Sequence, residues 1–196
     1  MLEIVRKTAL ENRQRAMRII EATRIKEIWE QAGATINLVG SLRMGLLVKH
    51  RDIDFHIYSS PLSVEESFAA VSQLAQHPAI KRVEYANLLD TEEQCIEWHA
   101  WYCEKDEEPW QIDMIHILKG SKFDGYFERM ADRITEVLTP EQRDTILTLK
   151  YDTPDDLKIM GIEYYRAVIE GGVKNFGQFD KWRKQHPVNG ITEWIP

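Results

Sequence analysis

Residues 52 to 58 read DIDFHIY. Ile53, Phe55 and Ile57 alternate with Asp52, Asp54 and His56, the period-two pattern of a strand with one apolar face. Asp52 and Asp54 therefore lie side by side on the other face. Carboxylates seldom enter a sheet unpartnered, because burying an ion costs far more than burying a neutral group. At about 5 to 7 Å and an effective dielectric near 20, the two repel by a few kcal/mol. A divalent cation turns that repulsion into attraction. Paired carboxylate oxygens suit Mg2+, which keeps several waters and accepts substrate phosphates.

A third acid has the same setting. Asp113 stands between Ile112 and Met114 in WQIDMIHIL, residues 110 to 118. That run and QCIEWHAWYC, residues 94 to 103, are rich in aromatic and β-favouring residues around a polar EKDEEP turn, and together they read as a hairpin. If Cys103 lies opposite Pro109, His99 faces Asp113, with Glu97 next on the same face. Either is then placed as a general base toward an acceptor hydroxyl. Three carboxylates on adjacent strands form a site for two metal ions. Upstream, Gly40 and Ser41 end a short strand, TINLV at 35 to 39. Gly40 lets backbone approach a ligand closely, and Ser41 offers a hydroxyl and an amide. A helix turn begun by SLRMG points its amides at an anion, with Arg43, Lys49 and Arg51 nearby for phosphate oxygens.

Gly40-Ser41, ten intervening residues, then Asp52-Ile53-Asp54-Phe55, with Ile112-Asp113-Met114 later, resembles the nucleotidyltransferase superfamily typified by DNA polymerase beta. The resemblance covers roughly residues 25 to 118. It implies an α+β fold: a nucleotidyltransferase-like mixed β-sheet with flanking helices, followed by a C-terminal helical portion. It implies an enzyme that moves a nucleoside monophosphate from an NTP, ATP being the expected one, with two Mg2+ ions. Asp52 and Asp54 would bind both ions and Asp113 the catalytic one, while Gly40 and Ser41 hold the triphosphate. Size, acidity and the helical second half resemble compact stand-alone members that adenylylate aminoglycoside or lincosamide antibiotics, so a small-molecule acceptor is the leading expectation. A toxin–antitoxin type of nucleotidyltransferase that modifies tRNA or protein is an alternative. A non-catalytic nucleotide-binding module is another.

The rest of the chain sets the frame. Residues 3 to 32 read as one helix with an apolar stripe of Ile25, Ile28, Trp29 and Ala32. Ser63 and Glu66 form a capping box before the next helix, and residues 80 to 89 contain a strand. From residue 122 the pattern is helical: 122 to 138, a helix from Pro140 capped by Thr139, a helix capped by Thr153 and ended by Gly171-Gly172, and a short last helix from Phe176. The expected division is a catalytic portion at 1–120 and a helical region at 121–196. A net charge of −7 disfavours a grip on many phosphates of a long nucleic acid and suits a small cationic partner. The acidic stretch Glu92 to Glu108, with Trp98, Trp101 and Trp110, reads either as an acceptor face for a cationic amine or sugar or, the preferred reading, as a solvated hairpin whose tryptophans pack in the core. No apolar run reaches membrane-spanning length, and Cys95 and Cys103, expected in one strand, are too far apart there to bridge. A cytoplasmic location with reduced thiols is the expectation.

Overall fold

In a computed structural model the chain is described at residues 1–105, 107–188, 190 and 192–196. Asp106, in the acidic stretch and the EKDEEP turn, lies outside the described residues. The centre is a five-stranded mixed sheet of order β1-β2-β5-β4-β3. The strands are β1 (Thr35–Leu38), β2 (Asp52–Ser59), β3 (Ile80–Leu88), β4 (Cys95–Tyr102) and β5 (Trp110–Leu118). β2 and β5 pair in parallel at the middle, and the other neighbours are antiparallel. The expected α+β class holds.

Strand alternation separates two faces. Ile53, Phe55, Ile57, Ile112 and Met114 point to one side and are fully buried against helices α2 (Ile25–Gln31) and α4 (Val64–Ala75), where Trp29, Val71 and Leu74 complete the core. Each such side chain contributes about 1.5–3 kcal/mol by leaving water. The acids lie on the other face. A second core gathers helices α5 (Tyr126–Val137), α6 (Pro140–Asp152), α7 (Gly161–Ile169) and α8 (Phe176–Gln185) around Ile134, Ile146, Tyr164 and Phe179. The long first helix, α1 (Leu2–Thr23), contributes Val5 and Ala9 to this helical core and Ala16, Ile19 and Ile20 to the sheet core. Among the described residues no helix is long and apolar enough to cross a membrane.

Three helical expectations are corrected. Residues 3 to 32 are two helices, broken at Arg24, which adopts the left-handed conformation at φ 53. No glycine or proline announces the break. The Thr23 hydroxyl donates to the Ile19 and Ile20 carbonyls, and Arg24 pairs with Glu27, so α2 turns to bury Trp29. The helix expected from 122 starts only at Tyr126, after Gly125. Phe123 is instead buried with Tyr58, Cys95 and Ile117. Thr153 closes α6 rather than opening α7: its hydroxyl donates to the Leu149 carbonyl at 2.7 Å and meets the Tyr164 hydroxyl at 2.8 Å. Both cysteines are free, Cys95 opening β4 and Cys103 lying just past its end.

The core side of the sheet also holds one polar knot. His116 is buried, with Nε2 at 2.8 Å from the Ser59 hydroxyl, Nδ1 at 3.1 Å from the Ser67 hydroxyl, and the Trp29 ring edge-on at 5.1 Å. Burial pushes its pKa down from 6.5 to about 4. The folded protein therefore holds the neutral ring at pH values where the unfolded chain takes up a proton. Stability from this group is complete above the unfolded value and is lost as pH falls toward the folded one. Between pH 7 and pH 5 the parent protein should lose about 2 kcal/mol more stability than His116→Gln, measured by urea unfolding at both pH values. Equal losses would show that the ring is not the acid-sensitive group.

Candidate active site

The site is set by register. Asp54 on β2 is level with Asp113 on β5, and Asp113 is level with His99 on β4. One step along, Asp52, Gln111 and Trp101 form a second row on the same face. Asp52, Asp54 and Asp113 thus converge as the strand pattern predicts, and the hairpin places His99 opposite Asp113. Burial, then the negative charges of Asp52 and Asp113, push the pKa of Asp54 well above the usual carboxylate range; the Lys150 ammonium works against this. Asp52 Oδ1 is buried with no hydrogen-bond partner among the described residues. Carboxylate oxygens gathered in this way, one of them orphaned, fit a hard divalent cation.

Gly40 explains why a Gly-Ser turn precedes the acids. It opens the short helix α3 (Gly40–Met44) at φ +66, and a Cβ there would run into the Asp54 carboxylate. The Val39 amide donates to the Asp54 carbonyl at 2.9 Å, which pins the turn to β2. Ser41 follows on this turn. Its hydroxyl accepts from Lys150 Nζ at 2.6 Å and meets the Tyr165 hydroxyl at 2.9 Å. Lys150 is buried and also donates to the Leu46 carbonyl at 3.1 Å and the Tyr165 hydroxyl at 3.3 Å.

The three basic residues expected near the turn lead elsewhere. Arg43 donates to the Leu38 carbonyl at 3.1 Å and to Asp132 at 2.6 Å. Lys49 donates to the Thr153 carbonyl at 2.6 Å and Asp155 at 2.8 Å, and Arg51 to the Glu108 carbonyl at 2.8 Å. The cation beside Ser41 is Lys150, more than a hundred residues away in sequence. Its signal was a lysine on the apolar stripe of α6, four residues after Ile146. Tyr165 is buried and also reaches Ser41.

Toward the hairpin, His99 Nδ1 lies 2.5 Å from Asp113 Oδ1, and the Gln111 amide donates to the same oxygen at 2.8 Å. The Asp113 carboxylate raises the pKa of His99, chiefly through that hydrogen bond. Glu97 Oε2 lies 3.9 Å from His99 Nε2, and its own pKa is raised by burial and by Glu93. Of the three tryptophans in and next to the acidic stretch, Trp98 and Trp110 are core. Trp101 lies half-buried on the acid-bearing face with the Arg82 guanidinium over its ring at 4.3 Å.

No family model matches the chain, and no curated protein does. Solved structures do. A variant of the Cid1 poly(U) polymerase bound to MgATP matches with a TM-score of 0.60 at 12% identity, over 85% of this chain and 54% of that one. Cid1 with its short product ApU matches at 0.57 and 11% identity, over 85% and 52%. A cytoplasmic RNA terminal U-transferase matches at 0.54 and 12%, over 85% and 53%. The chain spans about half the length of these structures. The likeness is one of fold, and the nucleotidyltransferase-like fold read from the acids is the one found.

The contact between Gly40 and Asp54 makes a stability prediction. Gly40→Ala combines a left-handed backbone with a collision and should cost about 2–4 kcal/mol. Gly33→Ala, at φ +78 with nothing within 4 Å of the added Cβ, meets only the backbone penalty. That variant should cost about 1 kcal/mol. Urea unfolding of both variants measures the difference, and equal costs would remove the argument from close approach.

Proposed function

We propose that this chain is a Mg2+-dependent nucleotidyltransferase that moves a nucleoside monophosphate from an NTP, ATP expected, to a hydroxyl of a small molecule. The observation that carries the reading is the meeting of Asp52, Asp54 and Asp113 with Ser41 and Lys150 at one place on a sheet of this fold. In this reading residues 1–120 are the catalytic portion, and the helical region 121–196 brings Lys150 to it. Asp52, Asp54 and Asp113 would hold two Mg2+ ions, which when bound neutralise phosphate charge and sharpen the attacking oxygen.

The chain's own residues divide the work. Lys150 and Ser41 take the triphosphate oxygens: a buried ammonium already donating to a hydroxyl is a preorganised place for an anion. Gly40 keeps that turn tight against Asp54. On the other side Asp113 faces the acceptor. The acceptor oxygen bonds to the α-phosphorus, the bond to the pyrophosphate oxygen breaks, and the hydroxyl proton passes to a carboxylate oxygen of the acceptor side, Asp113 or Glu97. Glu84 of β3 is already paired with Arg82, whereas Glu97 on the acid-bearing face of β4 favours an acceptor carrying positive charge, such as an amino sugar or an aminoglycoside antibiotic.

A second reading keeps the chemistry and takes RNA as acceptor. It is favoured by the matched structures, which are of a poly(U) polymerase and an RNA terminal U-transferase.

The test is pyrophosphate release with Mg2+, each NTP, and a panel of aminoglycosides, lincosamides, amino sugars and short RNAs. Release is expected with a small-molecule hydroxyl, falling by at least about a hundredfold in Asp54→Ala and Lys150→Met. Extension of RNA ends with no small-molecule product would establish the second reading. Tight NTP binding without release for any acceptor would leave a nucleotide-binding module.

A further inference from the structure

We propose that His99 and Gln111 are positioning residues that lock the Asp113 carboxylate so that it acts through one oxygen, Oδ2. The proposal rests on the nucleotidyltransferase reading above. It starts from an asymmetry among the three acids. Asp52 Oδ1 is buried and has no partner among the described residues, whereas Asp113 Oδ1 receives two: His99 Nδ1 at 2.5 Å and the Gln111 amide at 2.8 Å. Gln111 is level with Asp52 across the β2–β5 pair, yet its amide is committed to Asp113.

An ordinary cross-strand ion pair would need only the histidine. A neutral amide neutralises no charge, so its contribution here is direction. The terminal torsion of an aspartate is soft and two-fold, and an untethered carboxylate exchanges its oxygens freely. Two donors converging on Oδ1, one from the neighbouring strand and one from the same strand two residues back, select a single orientation. His99 is itself held on β4 by strand pairing on both sides, level with Glu84 and Asp113. Oδ2 is left for what the site binds. Asp113 is then a one-oxygen ligand of fixed direction, and the flexible roles fall to Asp52 and Asp54.

The test uses His99→Ala, His99→Asn, Gln111→Met and the His99→Ala/Gln111→Met double variant, with Mn2+ binding to the free protein followed by electron paramagnetic resonance beside kcat and KM for the NTP. The double variant should lose about 10- to 100-fold in Mn2+ affinity and in kcat, with KM for the NTP changed by less than about threefold. His99→Asn should recover most of the loss seen in His99→Ala, because its side-chain amide stands where the imidazole Nδ1 stands. A structural role alone would not produce that recovery. Mn2+ affinity and kcat within about twofold of the parent in the double variant would overturn the proposal, as would an Asn variant no better than Ala. If the parent protein binds no Mn2+ and releases no pyrophosphate, the nucleotidyltransferase reading falls and this proposal with it. If the parent does both and the double variant equals it, only this proposal falls.

Discussion

Three carboxylates on one face of a sheet repel one another, and the fold around them must withstand that repulsion. Asp54 is buried and level with Asp113, and burial first, then the charges of Asp52 and Asp113, push its carboxyl pKa upward. Among the described residues, the buried ammonium that offsets the push is Lys150, supplied by α6. The acids and their counter-charge thus sit on different parts of the chain, so the site exists only when the helices dock on the sheet. The docking is held by more than the site. α1 buries Val5 and Ala9 in the helical core and Ile19 and Ile20 in the sheet core, and its Arg6 pairs with Asp144 of α6. Asn12 of the same helix donates to the Val48 carbonyl at 2.5 Å, in the loop between the Gly-Ser turn and β2. A single long helix therefore braces both partners of the electrostatic contact.

The other face makes this arrangement affordable. Ile53 and Phe55 flank Asp54 in sequence and are fully buried on the side away from it, as Ile112 and Met114 are around Asp113. The strands that bear the acids are the inner parallel pair and are held by pairing on both edges. Hydrophobic burial on one face fixes the position of charge on the other, and a slip of one residue in either strand would reverse both.

How much of this could be read from the sequence follows from the range of each interaction. Period-two alternation is local, so the strands and the shared face of Asp52, Asp54 and Asp113 were legible. The hairpin register was legible because a short turn links its two strands, and it placed His99 opposite Asp113. Lys150 was not legible, because its partners lie on a turn about a hundred residues earlier and only helix packing brings them together. Arg43, Lys49 and Arg51 show the converse. Closeness in sequence to the turn says little about long side chains, which take whichever carbonyl or carboxylate the packing of α5, α6 and the hairpin presents. The break at Arg24 and the Thr153 cap fail for a related reason. A left-handed arginine carries no composition signal, and Thr-Pro reads alike whether it ends one helix or begins the next.

The chemistry on the two flanks of the acids is unequal, and this gives the proposed reaction a direction. On the α3 side stand an ammonium and hydroxyls, from Lys150, Ser41 and Tyr165. On the β4 side stands an imidazole, committed like the Gln111 amide of β5 to Asp113, with Glu97 beyond it. A triphosphate brings several negative charges and needs the cation. An acceptor hydroxyl loses a proton as it attacks and needs a carboxylate oxygen, which the β4 flank offers and the α3 flank does not. In the proposed reaction the donor therefore enters from the helices and the acceptor from the hairpin, meeting over the row formed by Asp54 and Asp113. Reversing the two would set phosphate against Glu97 and leave Lys150 facing a neutral hydroxyl, so the charges on the sheet oppose the reversed arrangement.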